Sequence, residues 1–556
     1  MNIKIILLNN KHDAVYLILI ILLSILLILP FSHQGFFPTH DGEWAVVRLT
    51  DMYRELKEFQ LPPRYSGNLN FGYGYPLFNF AYPFPYYLGF ILKAVGFGFV
   101  DSIKILFAAS VPLSGIGMYY LSKYIWNSRY SGFNSAILYM FLPYRLVDLY
   151  VRGSLGESLS FVYFPLIILS FYNIYNLKNI KISVLSLAFF IAFLIMTHNI
   201  MAVFFAPIIF FCLLLTFLSR KYKSLFFGLT GSITGVLMAA FFWIPALIEK
   251  QFVSLSINPI ADRSLYFVNI IDLFKYSWGY GIPTDSDAFT YQIGLAHTIG
   301  LIFVLGIILY KIRKREQSTF IAVSIIFCLL FYIMMLFRQS HLIWEILPLF
   351  KDINYPWTML AVIGFLMSLC IGYIINIPKT RMLGLILLVF SVISLLPFAH
   401  PSEYVNRGDD FYLTNDATTT SSNEFMPLWV KEKPVIRHSE KIEILSGEGE
   451  ISGLFVSSKQ IGFSAQIKKQ AKIRVNTIYY PGWTANVDNK VNLIDYKNNK
   501  GLMEISIPPG LHMVTFTFGE TRLRMIANVI SILSLFIFLS YFLNSLRKSR
   551  ETHIRN

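Results

Sequence analysis

Charged residues and cysteines are both scarce in this chain. Of its 556 residues, 14% are charged and 55% are hydrophobic. Soluble domains carry about 25% charged residues, so this balance excludes a single water-soluble globule. The three cysteines, Cys212, Cys328 and Cys370, all lie in apolar runs. This placement excludes a disulfide framework and a CxxC metal site.

The sequence signatures of several common catalytic centres are also absent. The chain has no HExxH zinc motif, no GxSxG nucleophile elbow and no Walker phosphate loop. Gly72 and Gly74 supply two glycines of a dinucleotide fingerprint, but no strand precedes them and the third glycine is missing. Motifs therefore support neither nucleophilic catalysis nor ATP-driven chemistry.

The excess of positive charge, +15 at pH 7, lies largely in short loops between apolar runs. Lys and Arg in such loops mark the cytoplasmic side of a membrane protein. The basic positions are Lys4 and Lys11, Lys123 and Arg129, Lys178 and Lys181, 220–223, 311–315, Lys379 and Arg381, and the tail 547–550. We therefore expect the charge to report topology, with both termini cytoplasmic, and we expect no nucleic-acid partner.

Twelve apolar runs approach or reach the length of about 20 residues that crosses a bilayer. They are 14–31, 103–120, 132–149, 158–175, 182–197, 200–218, 225–248, 293–310, 320–337, 357–377, 382–398 and 523–543. No small-residue cleavage site follows the first run, which we interpret as an uncleaved anchor.

A further apolar stretch, 76–95, contains Pro83 and Pro85, which interrupt helices. Counting it as a full span would invert every later basic loop. We interpret it as re-entrant or surface-lying. The expected fold is an all-α polytopic membrane protein of about 12–13 transmembrane helices.

The polar stretch 399–522 has a different composition and predicts a small extracytoplasmic β-sandwich. Apolar residues alternate at Ile461, Phe463, Ala465 and Ile467, as on one face of a strand. We predict turns at 487–491 and at 508–510. The chain then divides into a membrane domain over 1–398, which includes a first outer loop at 32–75, the β-rich domain, and a last helix with a basic cytoplasmic tail over 523–556.

The densest polar cluster follows the first span and contains His40, Asp41 and Glu43. A carboxylate there could act as a general base toward an acceptor hydroxyl, or Asp41 could hold a divalent cation. The alternative is structural, with Asp41 as the N-cap of a following helix.

The stretch 143–157 places four charged residues at one outer membrane edge, namely Arg145, Asp148, Arg152 and Glu157. Burying a charge at this depth costs free energy unless the charge is paired or takes part in function. The planar guanidinium of an arginine suits phosphate oxygens. The alternative is an Arg–Asp or Arg–Glu pair that locks two helices.

Other outer polar residues are candidates for lining the same site. Tyr73 and Tyr75 lie in a glycine-spaced aromatic loop, which is typical of interfacial anchoring or of sugar stacking. His198 interrupts an apolar stretch at an outer turn. It could either cap a helix or line the site. The loop 338–356 contributes His341, Asp352 and Tyr355.

The segment His40-Asp41-Gly42-Glu43 after the first span resembles the start of GT-C membrane glycosyltransferases. Four stretches resemble the bacterial 6-pyruvoyl-tetrahydropterin synthase-related membrane proteins, which are similar to YfhO-like proteins. They are 63–65 with 72–76, 150–157, 354–357, and 479–483 with 508–512. Similar proteins often carry Arg where this chain has Thr358. A pterin synthase needs a three-histidine zinc site, and the ten histidines here show no such spacing.

The GT-C resemblance implies transfer of a sugar from a polyprenyl-phosphate donor to an envelope glycan or lipid on the outer face of a bacterial cytoplasmic membrane. Asp41 would be the base, with Glu43 beside it. Arg152 and Arg145 would bind the donor phosphate, and Glu157 would orient Arg152. Two alternatives remain open: a non-catalytic transporter or flippase of lipid-linked sugars, and a structural envelope protein.

Overall fold

The computed structural model describes residues 3–311, 317–375 and 377–554. Residues 312–315 of the predicted basic loop lie outside this part of the chain. The described helices are α1 (Ile3–Ile28), α2 (Gly42–Lys57), α3 (Leu77–Phe80), α4 (Phe84–Ala94), α5 (Phe99–Trp126), α6 (Arg129–Met140), α7 (Pro143–Val147), α8 (Leu155–Tyr175), α9 (Ile180–Thr197), α10 (Asn199–Leu218), α11 (Tyr222–Met238), α12 (Ala240–Ile248), α13 (Leu295–Lys311), α14 (Gln317–Met335), α15 (His341–Ile346), α16 (Leu360–Ile375), α17 (Arg381–Leu395), α18 (Asp409–Leu413) and α19 (Arg522–Ile554).

The predicted polytopic helical architecture is confirmed. Among the described residues, nine helices are long and apolar enough to cross a membrane: α1, α5, α8, α9, α10, α14, α16, α17 and α19. Short turns extend two of them, α16 to Pro356–Ile375 and α17 to Arg381–Phe398. The pair α11 and α12 forms a tenth candidate span that bends by 66°. Every residue of α16 is buried, so this helix lies at the centre of the bundle.

Two predicted spans fall outside this count because they take a broken or a shorter form. The run 132–149 is broken, because α6 ends at Met140 and Pro143 begins the short helix α7. A π-turn over Asp148–Arg152 follows α7, and irregular turns of this kind often occur at functional sites. The run 293–310 forms α13, whose 17 residues fall short of a typical span.

The interpretation of 76–95 as a segment that does not span agrees with the structure. It forms α3, with 4 residues, and α4, with 11 residues, which are each too short to cross a bilayer. Helix α4 packs on α2 and α5. The loop between α3 and α4 therefore remains near the start of α2.

The β-rich domain is confirmed, although its strands form one six-stranded antiparallel sheet where a sandwich is predicted. The strands are β1 (Ile442–Val456), β2 (Gln460–Ile478), β3 (Trp483–Val487), β4 (Lys490–Asn492), β5 (Leu502–Ile507) and β6 (Gly510–Phe518). They pair in the order β1-β2-β6-β3-β4, and β5 also pairs with β2. The 19-residue β2 pairs along its whole length, which keeps the strands in one sheet.

The two predicted turns have different outcomes. The hairpin at 487–491 is confirmed, since Asp488 and Asn489 have φ angles of 51° and 66° between paired β3 and β4. The prolines at 508–509 do not reverse the chain. Ile507 pairs with Ala471 and Gly510 with Ile467, so β5 and β6 follow β2 in succession.

One face of the sheet packs on the first outer loop. The alternating residues Ile461, Phe463, Ala465 and Ile467 are all buried, in a cluster that also holds Tyr65. The β-rich domain thus completes its core with residues of the membrane domain.

A buried ion pair fastens the domain to the membrane helices. Arg524 of α19 lies 2.7 Å from Glu249, and their side chains are 0% and 3% exposed. The hydroxyl of Tyr480 donates to the Glu249 carboxylate at 3.1 Å, and Asn79 of α3 donates to it at 2.8 Å. Gly482 has a φ of +119°, and a Cβ there would lie 2.6 Å from the Gly519 carbonyl. The motif 479–483 therefore forms a structural junction.

Candidate functional site

The first outer loop and the π-turn meet through their main chains. The amide of His40 donates to the Val151 carbonyl at 3.0 Å, and the amide of Asp41 donates to the Arg152 carbonyl at 2.8 Å. Gly153 has a φ of +61°, and a Cβ there would lie 2.2 Å from the Thr39 hydroxyl. Only glycine tolerates this combination of left-handed backbone and close approach.

The side chain of Asp41 does not cap α2, which was the structural alternative for this residue. Asp41 precedes α2 but makes no capping hydrogen bond with its side chain. The hydroxyl of Thr39 instead accepts a hydrogen bond from the Gly42 amide at 2.9 Å. The Asp41 carboxylate therefore points to other partners.

Asp41, Arg152 and Glu157 converge, and together with Tyr144 and Trp357 they form what we call the Asp41 cluster. Arg152 Nη2 lies 3.8 Å from Asp41 Oδ2, and Arg152 Nη1 forms an ion pair with Glu157. The Tyr144 hydroxyl donates to the other Glu157 oxygen at 2.7 Å. The Arg152 guanidinium carbon lies 4.7 Å from the centre of the Trp357 ring, a cation–π contact.

The two ends of the Arg152 guanidinium have different surroundings. Nη1 is held by Glu157 and lies 3.6 Å from Asp148. Nη2 faces Asp41, whose side chain is 43% exposed, while that of Arg152 is 10% exposed. One end of the guanidinium therefore forms the predicted structural pair, and the other end lies beside an accessible carboxylate, where the phosphate contact stays a prediction.

The electrostatic environment of Asp41 identifies Arg48, which the sequence analysis missed. Although part of Asp41 is accessible, surrounding protein groups displace water and raise the pKa of its carboxyl. Arg152 and Arg48 oppose this shift. Arg48 lies seven residues after Asp41, two turns along α2, and this spacing is the signal that could have found it.

Arg48 also connects the site to the polar segment before the sheet. Its Nε donates to the Thr419 hydroxyl at 3.1 Å, and its Nη2 donates to the Thr419 carbonyl. Arg48 therefore fixes the segment around Thr419 beside α2.

His198 and Tyr82 close another side of the cluster. The Nδ1 atom of His198 accepts the Met201 amide at 3.2 Å, which confirms the capping alternative. Its Nε2 lies 3.9 Å from Glu157, and its ring lies 5.1 Å from that of Tyr82. Burial lowers the pKa of His198 to about 4, so it is neutral at pH 7. Tyr82 lies in the loop between α3 and α4. The sequence predicts no role for this residue.

His40 and Tyr355 also lie at this site. His40 Nε2 is 2.8 Å from the Tyr280 carbonyl, which fixes the ring next to Asp41. The Tyr355 ring centre is 5.4 Å from that of Trp357. Thr358 is buried, and its hydroxyl donates to the Tyr355 carbonyl at 2.7 Å.

Two of the predicted charged residues have partners elsewhere. Glu43 accepts hydrogen bonds from Arg407 at 2.8 Å and from the Tyr412 hydroxyl at 3.2 Å, so it ties α2 to the segment before the sheet. Arg145 is 0% exposed and donates to the Ser158 carbonyl and the Ser110 hydroxyl. The structure gives Arg145 no access to a ligand.

Four further predicted residues lie away from the cluster. Tyr73 and Tyr75 are buried, with the Tyr73 ring on His438 and the Tyr75 hydroxyl 3.1 Å from that of Thr419. The remaining two belong to an outer surface. His341 is exposed beside Phe267, and Asp352 pairs with Lys250 at 2.6 Å. Spacing along the sequence does not reveal which face of a loop each residue occupies.

No group of three or more His, Cys, Asp or Glu side chains within the described ranges is arranged to hold a metal ion. A divalent cation at Asp41 would need most of its ligands from water or from substrate phosphate oxygens, as Mg²⁺ often has.

Two solved structures from Archaeoglobus fulgidus resemble this chain, each with 14% sequence identity. One is the archaeal oligosaccharyltransferase AglB in complex with an inhibitory peptide and a dolichol-phosphate, with a TM-score of 0.42, covering 70% of this chain and 56% of that one. The other is a crystal structure of the oligosaccharyltransferase in complex with Zn and sulfate, with a TM-score of 0.44, covering 74% and 58%.

A curated relative and a family profile each match more than half of the chain. An uncharacterized protein of Lactococcus lactis subsp. cremoris (strain MG1363) is 22% identical over 324 residues, which are 56% of this chain and 52% of that protein. The chain thus spans about half the length of this relative. The profile of the 6-pyruvoyl-tetrahydropterin synthase related domain, described as a membrane protein, matches residues 78–402. Because this match covers more than half of the present chain, the chain belongs to the 6-pyruvoyl-tetrahydropterin synthase-related family of membrane proteins.

Proposed function

We propose that this protein is a GT-C-like membrane glycosyltransferase that transfers a sugar from a polyprenyl-phosphate donor to an envelope glycan or lipid. The observation that carries the proposal is the convergence of Asp41 with Arg152 and Glu157, which lie more than 100 residues later in the sequence. A purely structural protein has no need of an accessible carboxylate beside a buried arginine, because an unused charge at such a site is costly.

The chemistry assigns one role to each charged group. The Asp41 carboxylate accepts the proton of the acceptor hydroxyl while the hydroxyl oxygen attacks the anomeric carbon of the donor sugar. The bond from that carbon to the phosphate oxygen breaks, and its electron pair stays on the polyprenyl phosphate. The Nη2 end of Arg152 stabilises the charge of the departing phosphate.

Several contacts support Arg152 in this role. Glu157 and the Trp357 ring hold its guanidinium from two directions, which limits its motion before a ligand arrives. Arg48 supplies a second positive charge near Asp41. Glu43 becomes a positioning residue, since its bond to Arg407 anchors the first turn of α2.

The proposed site lies on the face of the membrane domain that carries the β-rich domain, since Arg48 and Glu43 both contact the segment that leads into the sheet. With both termini in the cytoplasm, as the basic loops predict, this face is the outside of a bacterial cytoplasmic membrane. The β-rich domain would then help to hold the acceptor.

The test is transfer by the purified, lipid-reconstituted protein. Labelled polyprenyl-phosphate sugars are incubated with crude envelope acceptors, and glycan or lipid products are separated by chromatography. We expect Asp41→Asn to abolish transfer and the matched control Asp352→Asn, at an exposed position, to retain it. Full transfer by a folded Asp41→Asn protein would overturn the assignment.

A second candidate function, transport of lipid-linked sugars, is favoured by broken apolar segments. Transporters often bind substrate at interrupted helices, and here α3 with α4, α6 with α7 and the bent pair α11–α12 are interrupted. The two functions differ in one measurement. A transporter moves a fluorescent lipid-linked sugar between leaflets without a new glycosidic bond, and Asp41→Asn would leave it active.

A further inference from the structure

Two outer segments, 257–274 and 338–353, expose large apolar side chains on the face that carries the β-rich domain. Seven of these side chains are between 55% and 75% exposed: Ile257, Leu265, Ile270, Ile271, Leu342, Ile346 and Leu349. Soluble surfaces rarely leave such a group uncovered, and contiguous apolar patches usually mark an interaction site.

The two segments form one joined unit, which we call the collar. Arg263 donates to the Ile353 carbonyl at 2.8 Å and to Glu345 at 3.0 Å, so it fastens the first segment to the second. The amide of Val268 donates to the Leu336 carbonyl at 2.9 Å. These bonds hold the exposed residues in fixed positions.

The short helix α15 within the collar has two different faces. Trp344 is 0% exposed, and its ring packs against those of Phe204 and Phe350. Leu342 and Ile346, four residues apart, share the opposite face and are 71% and 75% exposed. Helix α15 therefore separates a protein-facing side from an apolar outer side.

The outer side of α15 continues the lipid-facing surface of α14. Leu330 and Met334, near the end of that candidate span, are 59% and 41% exposed. A single turn over Arg338–Ser340 leads from there into α15. Arg338 and His341 are exposed at this junction, where polar side chains of a membrane protein meet headgroups.

We propose that the collar is embedded in the lipid leaflet on the side of the β-rich domain, with hydrocarbon as the partner of its exposed apolar face. The lipid that covers α14 extends over Leu342 and Ile346. This proposal goes beyond the proposed function and does not depend on sugar transfer.

The collar is connected to the Asp41 cluster by a series of aromatic ring contacts. The Tyr266 ring lies 5.0 Å from that of Tyr355, Tyr355 lies 5.4 Å from Trp357, and Trp357 lies against Arg152. The contacts of an embedded collar therefore extend to Arg152 through three rings.

Site-directed labelling tests the proposal without reference to catalysis. Cys212, Cys328 and Cys370 are replaced by Ser, and single variants Leu342→Cys, Ile346→Cys and the control Lys469→Cys carry a polarity-sensitive fluorophore. Lys469 lies beside Glu448, and its side chain is 77% exposed on the sheet. The protein is reconstituted in vesicles of phosphatidylethanolamine and phosphatidylglycerol, with and without spin-labelled lipid.

We expect blue-shifted emission at 342 and 346, and quenching by spin-labelled lipid at least threefold stronger than at 469. Equal, water-like emission at all three positions would overturn the proposal. Should the cysteine-free protein fail to fold, photoreactive lipids report on the unaltered chain. Crosslinks to peptides spanning 257–274 and 338–350 would support the collar, and crosslinks confined to the spans would overturn it.

Discussion

The amide of Asp41 donates a hydrogen bond to the carbonyl of Arg152 at 2.8 Å, and their side chains bring opposite charges to 3.8 Å. Because the main-chain bond fixes both backbones, the spacing of carboxylate and guanidinium is set by the fold and not only by their mutual attraction. Changes to the backbone at this contact should therefore disturb the site as much as changes to the charged groups.

Gly153→Ala should lower the free energy of unfolding by about 1–3 kcal/mol, because the position needs a positive φ. The added Cβ would also overlap the Thr39 hydroxyl. Thermal unfolding in detergent measures the loss. The control is Gly408→Ala, where a Cβ meets nothing within 4 Å, and its change should stay within about 0.5 kcal/mol. Equal stability of the two variants would contradict the described contact.

Arg152→Gln should cost about 3–5 kcal/mol of folding free energy, because it leaves buried Glu157 without its cation. The double variant Arg152→Gln with Glu157→Gln should recover part of this loss, since the unpaired charge is then removed. Chemical unfolding of the single and double variants completes a mutant cycle. Strictly additive losses would show that the two side chains do not interact.

The rate of transfer should fall at low pH with a midpoint above the ordinary Asp pKa of 3.8. Loss of hydration raises the pKa of Asp41, so the proton-accepting carboxylate is lost earlier as the pH falls. Arg48→Gln should move the midpoint further up, since Arg48 lowers the pKa of Asp41. Arg48→Lys, which keeps the charge, should leave it in place. Profiles of kcat against pH measure this shift, and an unmoved midpoint in Arg48→Gln would exclude the coupling.

Asp51→Asn should stabilise the protein at neutral pH. Asp51 is 1% exposed, and burial raises its pKa to about 6 in the folded state, with Glu55 and Glu58 nearby and Arg54 at 3.8 Å. The stability of the folded form is therefore fullest below about pH 4 and declines as the pH rises to about 6, by up to about 3 kcal/mol at about 1.4 kcal/mol per pKa unit.

Unfolding temperatures at pH 4 and pH 7.5 test this dependence. The gain from Asp51→Asn should be large at pH 7.5 and near zero at pH 4. The exposed control Asp410→Asn should show no such difference. A gain of the same size at both pH values would mean that the ionisation of Asp51 is not responsible.

Local patterns predicted much of the architecture, because they report burial within one segment. The apolar runs located most of the membrane helices, Pro83 and Pro85 marked a stretch that does not span, and the alternation from Ile461 to Ile467 identified a strand with one buried face. Such patterns fail where pairing with a distant segment determines the backbone conformation. The prolines at 508–509 resemble a turn, yet pairing with β2 keeps the chain extended through them.

Composition and spacing along the chain predict a membrane bundle with an outer β-rich domain and single out Asp41, Arg152 and Glu157 as scarce charges at its edge. The folded arrangement is needed to show that these three meet, that Arg48 and Tyr82 join them, and that Arg145, Tyr73 and Asp352 do not. The physical reason is that residue type and spacing fix local helix faces and burial. Contacts between distant segments depend instead on main-chain bonds and close approaches, such as those at Asp41 and Gly153, which no single segment encodes.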